Sequence, residues 1–362
     1  MIIDFAIVIA KYLFVFGAIM SVLPLMVWAE RKGSAYIQDR PGPNRAAIFG
    51  FTLAGLFHPL ADVIKLISKE KVVPTGAEPF FYRLAPILVL IPAFMTFVVI
   101  PFGDTFVLFD RTITLQVANL PAGIVYILAI SSLGVYGIMF AGWSSNNKYS
   151  LMGSLRSSAQ MISYELSLGM SLIGLLMIFG SADLNVLVRG QGGLLFGILP
   201  AWGIFLQPLG FILFLVALFA ETNRNPFDLP EGESEIVAGY HLEYSAIRFA
   251  TFFMAEYANI IVGSALIATL FFGGWQVPYL DATGFHFPWG GDILLSPLVI
   301  LGLRLVSLGI KVTFFCWFFI WVRWTLPRFR YDQLMYLGWK VMVPLALLNI
   351  AVTGAFLIWM KV

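Results

Sequence analysis

Cysteine is almost missing from this chain of 362 residues, which has Cys316 alone. One thiol cannot close an intrachain disulfide, ligate an iron–sulfur cluster with cysteines or build a Cys-rich zinc site. Histidine is nearly as scarce, and His58, His241 and His286 stand far apart without ligand spacing. Charge is thin too, at 12% of residues, and no Gly-rich dinucleotide or phosphate loop is visible. The chain therefore shows no metal, NAD, flavin or cluster site of its own. Any redox chemistry has to draw its electrons from a partner. The net charge of +2 says little about partners, and nucleic acid is not expected among them.

What fills the chain instead is apolar: 60% of residues are hydrophobic and the mean hydropathy is +0.89. These values predict an all-α polytopic membrane protein, organised as one membrane domain over residues 1–362. Stretches long enough to span occur near 5–28, 84–101, 118–141, 151–179, 198–220, 245–272, 294–322 and 336–360. The first contains Lys11 and lacks a small-residue cleavage site, so it reads as a retained helix. Loops 29–83, 142–156, 221–248 and 323–340 hold 8, 2, 2 and 4 of the 22 Lys and Arg residues. With eight spans these loops share one side, and the positive-inside rule places them in the cytoplasm with both termini opposite. The loops near 102–117, 180–197 and 273–293 carry few basic residues and read as short connections on the other side.

The most acidic stretch is Ala220 to Tyr244, AETNRNPFDLPEGESEIVAGYHLEY. Glu221, Asp228, Glu231, Glu233, Glu235 and Glu243 face Arg224 alone. Too polar to cross lipid and flanked by apolar segments, the stretch must lie at a membrane surface or fold back into a cavity. Asp228, followed by Pro230 and Glu231, predicts a helix start in which Asp228, Glu231 and Glu235 share a face. Carboxylates so crowded cannot all ionise at their ordinary pKa, so such a cluster holds and releases protons. The plainer alternative is a solvated loop. Against it, the acids alternate with apolar residues, Pro and Gly set turns, and more acids lie inside neighbouring spans.

Those intramembrane charges are the strongest signal the residues give by themselves. Glu165 lies about 21 Å along a helix beginning near Leu151, and Glu256 is similarly deep within FFMAEYANIIVG. A carboxylate there costs several kcal/mol unless protonated, paired or wetted, so both should face the bundle interior. Arg304 and Lys311, seven residues apart, share a helix face, and opposite charges on separate helices are expected to pair through a wet interior. A purely structural buried ion pair is the competing account.

Elsewhere, Glu30, Arg31 and Lys32 end the first span, and Arg40 to Arg45 form a basic turn that reads as an interfacial anchor. From Leu53 to Lys69, Leu53, Leu56, Phe57, Leu60, Ile64 and Ile67 take one side and His58, Asp62, Lys65 and Lys69 the other. This predicts an amphipathic helix lying in the interface plane. Arg323, Arg328, Arg330, Asp332 and Lys340 form a basic surface suited to anionic lipid or an acidic partner.

ETNRNPFDLPEGESEIVAGYHLEY resembles the second signature of the subunit 1 family, the H subunit of bacteria, of respiratory complex I, the proton-pumping NADH:quinone oxidoreductase. WAERKGSAYIQDRPGPNR, from Trp28 to Arg45, is similar to the first signature, and RSSAQMISYE, MAEY and PRFRYDQLM match in family order. The resemblance implies a bacterial inner-membrane subunit at the junction of pump and peripheral redox arm, with helices two to six resembling a five-helix unit of ion-transporting subunits. It implies that Glu30, Arg31, Arg40, Asp62, Arg224, Arg328 and Arg330 line a quinone path, and that Glu165, Glu221, Asp228, Glu231, Glu233, Glu235, Glu243 and Glu256 relay protons toward antiporter-like subunits. Quinone is then the substrate, while iron–sulfur clusters and flavin sit in partner subunits. The partners implied are iron–sulfur and quinone-site subunits, small and antiporter-like membrane subunits, and lipid. Two positions depart from the family pattern, Pro41 where a basic residue is often found and His58 in place of the usual Gln. Competing functions are a related subunit of a hydrogenase or ferredoxin-driven pump without quinone, and a free-standing ion-coupled transporter.

Overall fold

A computed structural model of the chain describes residues 2–108, 111–229, 232 and 237–361. Helices dominate it, and seven are long and apolar enough to cross a membrane among the described residues. In chain order the helices are α1 (Ile2–Ile37), α2 (His58–Ser68), α3 (Pro79–Met95), α4 (Gly123–Ser144), α5 (Lys148–Phe179), α6 (Leu184–Gly190), α7 (Gly203–Leu206), α8 (Pro208–Glu221), α9 (Ala246–Phe271), α10 (Pro297–Thr325), α11 (Tyr331–Tyr336) and α12 (Val343–Lys361). A π-helical segment, Leu337–Met342, joins α11 to α12. Three short antiparallel hairpins, β1–β2 (Thr105–Leu108, Arg111–Thr114), β3–β4 (Leu194–Leu195, Leu199–Pro200) and β5–β6 (Gly284–His286, Asp292–Leu294), lie in or beside the loops expected to be short connections.

Local chemistry sets the ends of these helices. Proline opens α3, α8 and α10, where its missing N–H costs nothing. The Asn147 side chain caps α5 by accepting from the Tyr149 N–H at 2.9 Å, and Gly180, in the left-handed region, closes it. Helix α9 is the central column. Every residue from Ile260 to Phe271 is buried, as an apolar helix enclosed on all sides requires. It packs against α1, α3 and α10, while α3, α4, α5 and α8 pack in succession and α12 lies on α5.

Two expectations change. The span drawn at 198–220 is divided, because Pro208 disfavours helical geometry at the preceding residue, and Gln207 sits at φ −137°, ψ 64°. Its side chain is held at the break, donating to Thr353 Oγ1 at 2.8 Å and accepting from Asn349 Nδ2 at 2.9 Å. The amphipathic helix drawn from Leu53 starts only at His58. Gly55, at φ +89°, lies so close to the Pro43 carbonyl that any Cβ would collide with it, which breaks the run. Leu60, Val63, Ile64 and Ile67 of α2 remain exposed, consistent with a helix lying on a lipid surface. The helix predicted to start at Asp228 lies outside the described residues.

Gln191 shows how the loop ends are sealed. Its Oε1 accepts from Gly203 N at 2.9 Å and Gly273 N at 3.0 Å, and its Nε2 donates to Thr269 O at 3.0 Å, all buried. Gln191→Leu strands these backbone groups, each at about 1–3 kcal/mol. A clear drop in the thermal unfolding midpoint in detergent is the expected result; an unchanged midpoint would mean that water replaces the side chain.

Candidate functional site

The chain turns inward directly after α8. Thr222, Asn223, Arg224 and Phe227 are buried, so the first part of the acidic stretch folds back into the bundle. Gln160 of α5 pins it there. Its Nε2 donates to Ala220 O at 3.0 Å and Phe227 O at 2.9 Å, with Asn223 Oδ1 alongside at 3.2 Å. Asn225 Nδ2 donates to Arg323 O at 2.7 Å and Leu326 O at 2.9 Å, tying the loop to the C-terminal end of α10.

This fold delivers Arg224 to the centre of a charge network. Its Nη1 lies 3.0 Å from both oxygens of Glu30, near the end of α1, and its Nε lies 2.8 Å from Glu256 Oε1 on α9. Arg323 of α10 also bonds Glu30, and Tyr257 donates to Glu30 Oε2 at 2.7 Å. The Arg224 guanidinium lies 4.7 Å from the centroid of the Tyr257 ring, a cation–π distance. Side chains of Arg224 and Glu30 are only 3% and 7% exposed, so two carboxylates and two guanidiniums meet largely out of water. Burial alone would lower the pKa of Arg224, but Glu256 and Glu30 outweigh it and hold the guanidinium more firmly charged.

A cavity opens beside this network. It is lined by Glu256 and Asn259 of α9, Glu221, Thr222 and Asn223 at the end of α8, and Ser131 of α4, among apolar side chains of α3 to α5. About 70 Å³ is open to water centres, room for several molecules. Glu221 Oε2 is shut away from bulk solvent with no hydrogen-bond partner among the described residues. Glu165 of α5 lies close enough to Glu221 for their charges to interact. Carboxylates from α8 and α9 thus line one wettable space, with Glu165 of α5 beside Glu221.

The other predicted residues divide. Arg31 and Asp62 meet at 2.5 Å, joining α1 to α2. Arg40 is exposed on the turn, which buried Lys32 Nζ holds by donating to the Pro41 backbone O at 2.7 Å and to the Asn44 side-chain Oδ1 at 2.5 Å. His58 accepts from the Ala46 N–H at 3.2 Å, steadying the same loop. Asp228 pairs with Arg328 at 2.9 Å; burial raises its pKa above the ordinary aspartate value, while Arg328, Arg323 and Arg224 pull the other way. Glu243 accepts from Asn147 Nδ2 at 2.6 Å, and the neighbouring Tyr244 ring stacks on Tyr82. Arg330 pairs with Asp332 at 3.2 Å on the surface. Glu231, Glu233 and Glu235 lie outside the described residues.

Arg304 and Lys311 do not pair with the buried acids. Arg304 bonds Asp104 at 2.9 Å in the loop ahead of β1, and Lys311 Nζ donates to the carbonyls of Phe272, Gly274 and Gln276 at 2.7–2.8 Å. The α9 C-terminus presents unsatisfied carbonyls near these side chains, which a cation satisfies well. Arg323, read from sequence as part of a surface, and Tyr257 proved central. The adjacency of Tyr257 to Glu256 and the place of Arg323 in the last turn of α10 were the available signals.

Fold and site together define a polytopic membrane protein whose interior holds interacting ionisable groups. A family model described as NADH dehydrogenase matches residues 10–354. The chain is 48% identical to the NADH-quinone oxidoreductase H subunit 1 of Geobacter metallireducens, over 97% of this chain and 96% of that protein. It is 46% identical to the H subunit of Flavobacterium psychrophilum, over 96% of each chain, and 47% identical to that of Thermomicrobium roseum, over 95% and 94%. The chain belongs to this NADH dehydrogenase family.

Arg224→Met deprives Glu30 and Glu256 of the guanidinium they share, a change expected to cost about 3–5 kcal/mol. Adding Glu256→Gln to the same chain removes one of the two carboxylates and should recover part of the loss. Thermal unfolding of the purified protein in detergent checks both; a double variant no more stable than Arg224→Met would contradict the network.

Proposed function

We propose that the chain is the membrane subunit of a proton-translocating NADH:quinone oxidoreductase that forms the quinone path and links quinone chemistry to proton movement. Its partners are then the peripheral redox subunits, which carry flavin and iron–sulfur clusters, and the antiporter-like membrane subunits. The membrane is the bacterial inner membrane, with the acidic stretch on the cytoplasmic side. The observation that carries the reading is the buried network of Glu30, Arg224, Glu256 and Arg323 set beside a cavity that reaches Glu221.

The physics of the link follows from that arrangement. Two guanidiniums balance Glu30 and Glu256, so a charge change at the quinone path disturbs a neutral set in a low-dielectric place. Quinone reduction consumes two protons, and the carboxylates around the cavity answer as a coupled group rather than singly. Quinone enters between α1 and α2, where Arg31 and Asp62 join the two helices and the apolar face of α2 is open. Arg40 stands on the adjoining turn, Arg328 and Arg330 on the far side. The names of the curated relatives favour quinone over a hydrogenase or a free-standing transporter.

Glu165→Gln and Glu256→Gln should each depress both quinone reductase turnover and proton pumping at least several-fold in the assembled complex, without loss of assembly. Pumping at the wild-type rate in both variants would rule out the relay. Arg40→Ala should slow turnover with a long-tailed quinone more than electron transfer to a small soluble acceptor fed by the upstream arm. Equal loss with the two acceptors would contradict the path.

A further inference from the structure

Beyond the carboxylates, the seam between α9 and α10 carries polar groups from the buried network to the opposite end of the bundle. At one end stand Tyr257 and Arg323, both on Glu30. Ser264 lies seven residues beyond Tyr257, about 10 Å along α9 and on the same face. Its Oγ is 3.5 Å from Cys316 Sγ on α10. Five residues nearer the start of α10 is Lys311, held by three carbonyls of the turn that ends α9. One of these, Gln276 O, also accepts from Ser307 Oγ at 3.1 Å. One turn further, Arg304 bonds Asp104, which bonds Arg189 at 2.9 Å, and the Arg189 side chain is half exposed.

We infer that Lys311 is a proton-carrying residue, and that Ser307, Arg304 and Asp104 form the outlet by which its proton leaves on the face opposite the acidic stretch. The inference rests on the proton-translocating reading above and adds a route through this chain itself. A lysine that only closed a helix end would need no polar side chains between its ammonium and the surface, where Ser307 shares the Gln276 carbonyl with it and Arg304 stands one turn further on, paired with Asp104. Backbone carbonyls stabilise the ammonium without adding a formal negative charge, so losing a proton leaves no stranded carboxylate behind. Among the described residues no carboxylate lies within 4.0 Å of Nζ. The groups that face it are the three carbonyls from the end of α9, the Trp202 ring at 4.9 Å, and on its own helix Arg304 and Cys316 to either side.

In the step, an N–H bond of the Lys311 ammonium breaks and its proton passes to water, which carries it past Ser307 and the Arg304–Asp104 pair to solvent at Arg189. The Nζ lone pair then takes a proton that water delivers from the side of the acidic stretch, leaving that water neutral and restoring the ammonium, so that one proton has entered and one has left. Nothing is oxidised or reduced.

The test uses the whole complex reconstituted in liposomes, reading NADH:quinone turnover and protons pumped per NADH. Lys311→Arg keeps a donor and a charge but cannot release its proton at working pH. Assembly is expected to survive, with pumped turnover falling at least five-fold and fewer protons moved per NADH. Wild-type turnover with the wild-type proton ratio would overturn the inference and leave Lys311 as a structural clasp. Should Lys311→Arg prevent assembly, Ser307→Ala decides on the same two readouts. That variant spares the three carbonyl bonds of Lys311, and a proton ratio matching wild type would equally overturn the outlet. A wild-type complex that oxidises NADH with quinone and moves no protons would sink the parent reading instead. Loss of pumping in Glu256→Gln beside an unaltered Lys311→Arg would sink this inference alone.

Discussion

Neutralising two carboxylates where water is scarce is the constraint on which much of the architecture depends. Glu30 comes from α1 and Glu256 from α9, and neither ionises readily in an apolar bundle by itself. Arg224 can serve both only because the segment after α8 turns back between the helices. That turn in turn needs Gln160 to satisfy its carbonyls and Asn225 to fasten it to α10. Removing Arg224 leaves a carboxylate unpaired, so the two acids depend on the fold of that segment. A wettable cavity on the Glu256 side puts a second group of acids within electrostatic reach of the same network.

Much of this was legible in the chain. Hydropathy gave the spanning helices, and charges placed deep within apolar runs pointed to the interior, because lipid leaves them no other stable place. Glu221 and Glu256 do line a common cavity, with Glu165 beside Glu221. The partners were not legible. Glu30 and Arg323 are 293 residues apart, and nothing in local periodicity says that they touch. Arg304 and Lys311 carried the right helical spacing, yet their acceptors are Asp104 in one loop and backbone carbonyls in another. Backbone groups have no sequence signature, so a cation held by them looks from sequence like one awaiting an acid. The division of the span at 198–220 was signalled by Pro208, since proline disfavours helical geometry just before it.

The bundle also separates its polar work by depth. At one end the acidic stretch is tied to the end of α10, to α3 and to the start of α5 through Asn225, Tyr82 and Asn147. At the other, the hairpin loops are joined through Asp104, Gln276 and Tyr279. Between them α9, buried over its second half, is the shared wall; it carries Glu256 near its middle, and the turn that follows it offers carbonyls to Lys311.

The link between α1 and α2 differs in kind from the Arg224 network. Arg31 and Asp62 are 44% and 40% exposed, open to dissolved ions, whereas Arg224 is shielded from them. At physiological ionic strength screening acts over about 8 Å, enough to weaken an exposed pair and too little to reach a sealed one. Salt in the surrounding medium therefore weakens the tie between α1 and α2 while leaving the Arg224 pairs nearly unaltered, so ionic strength acts on the surface helix and not on the interior.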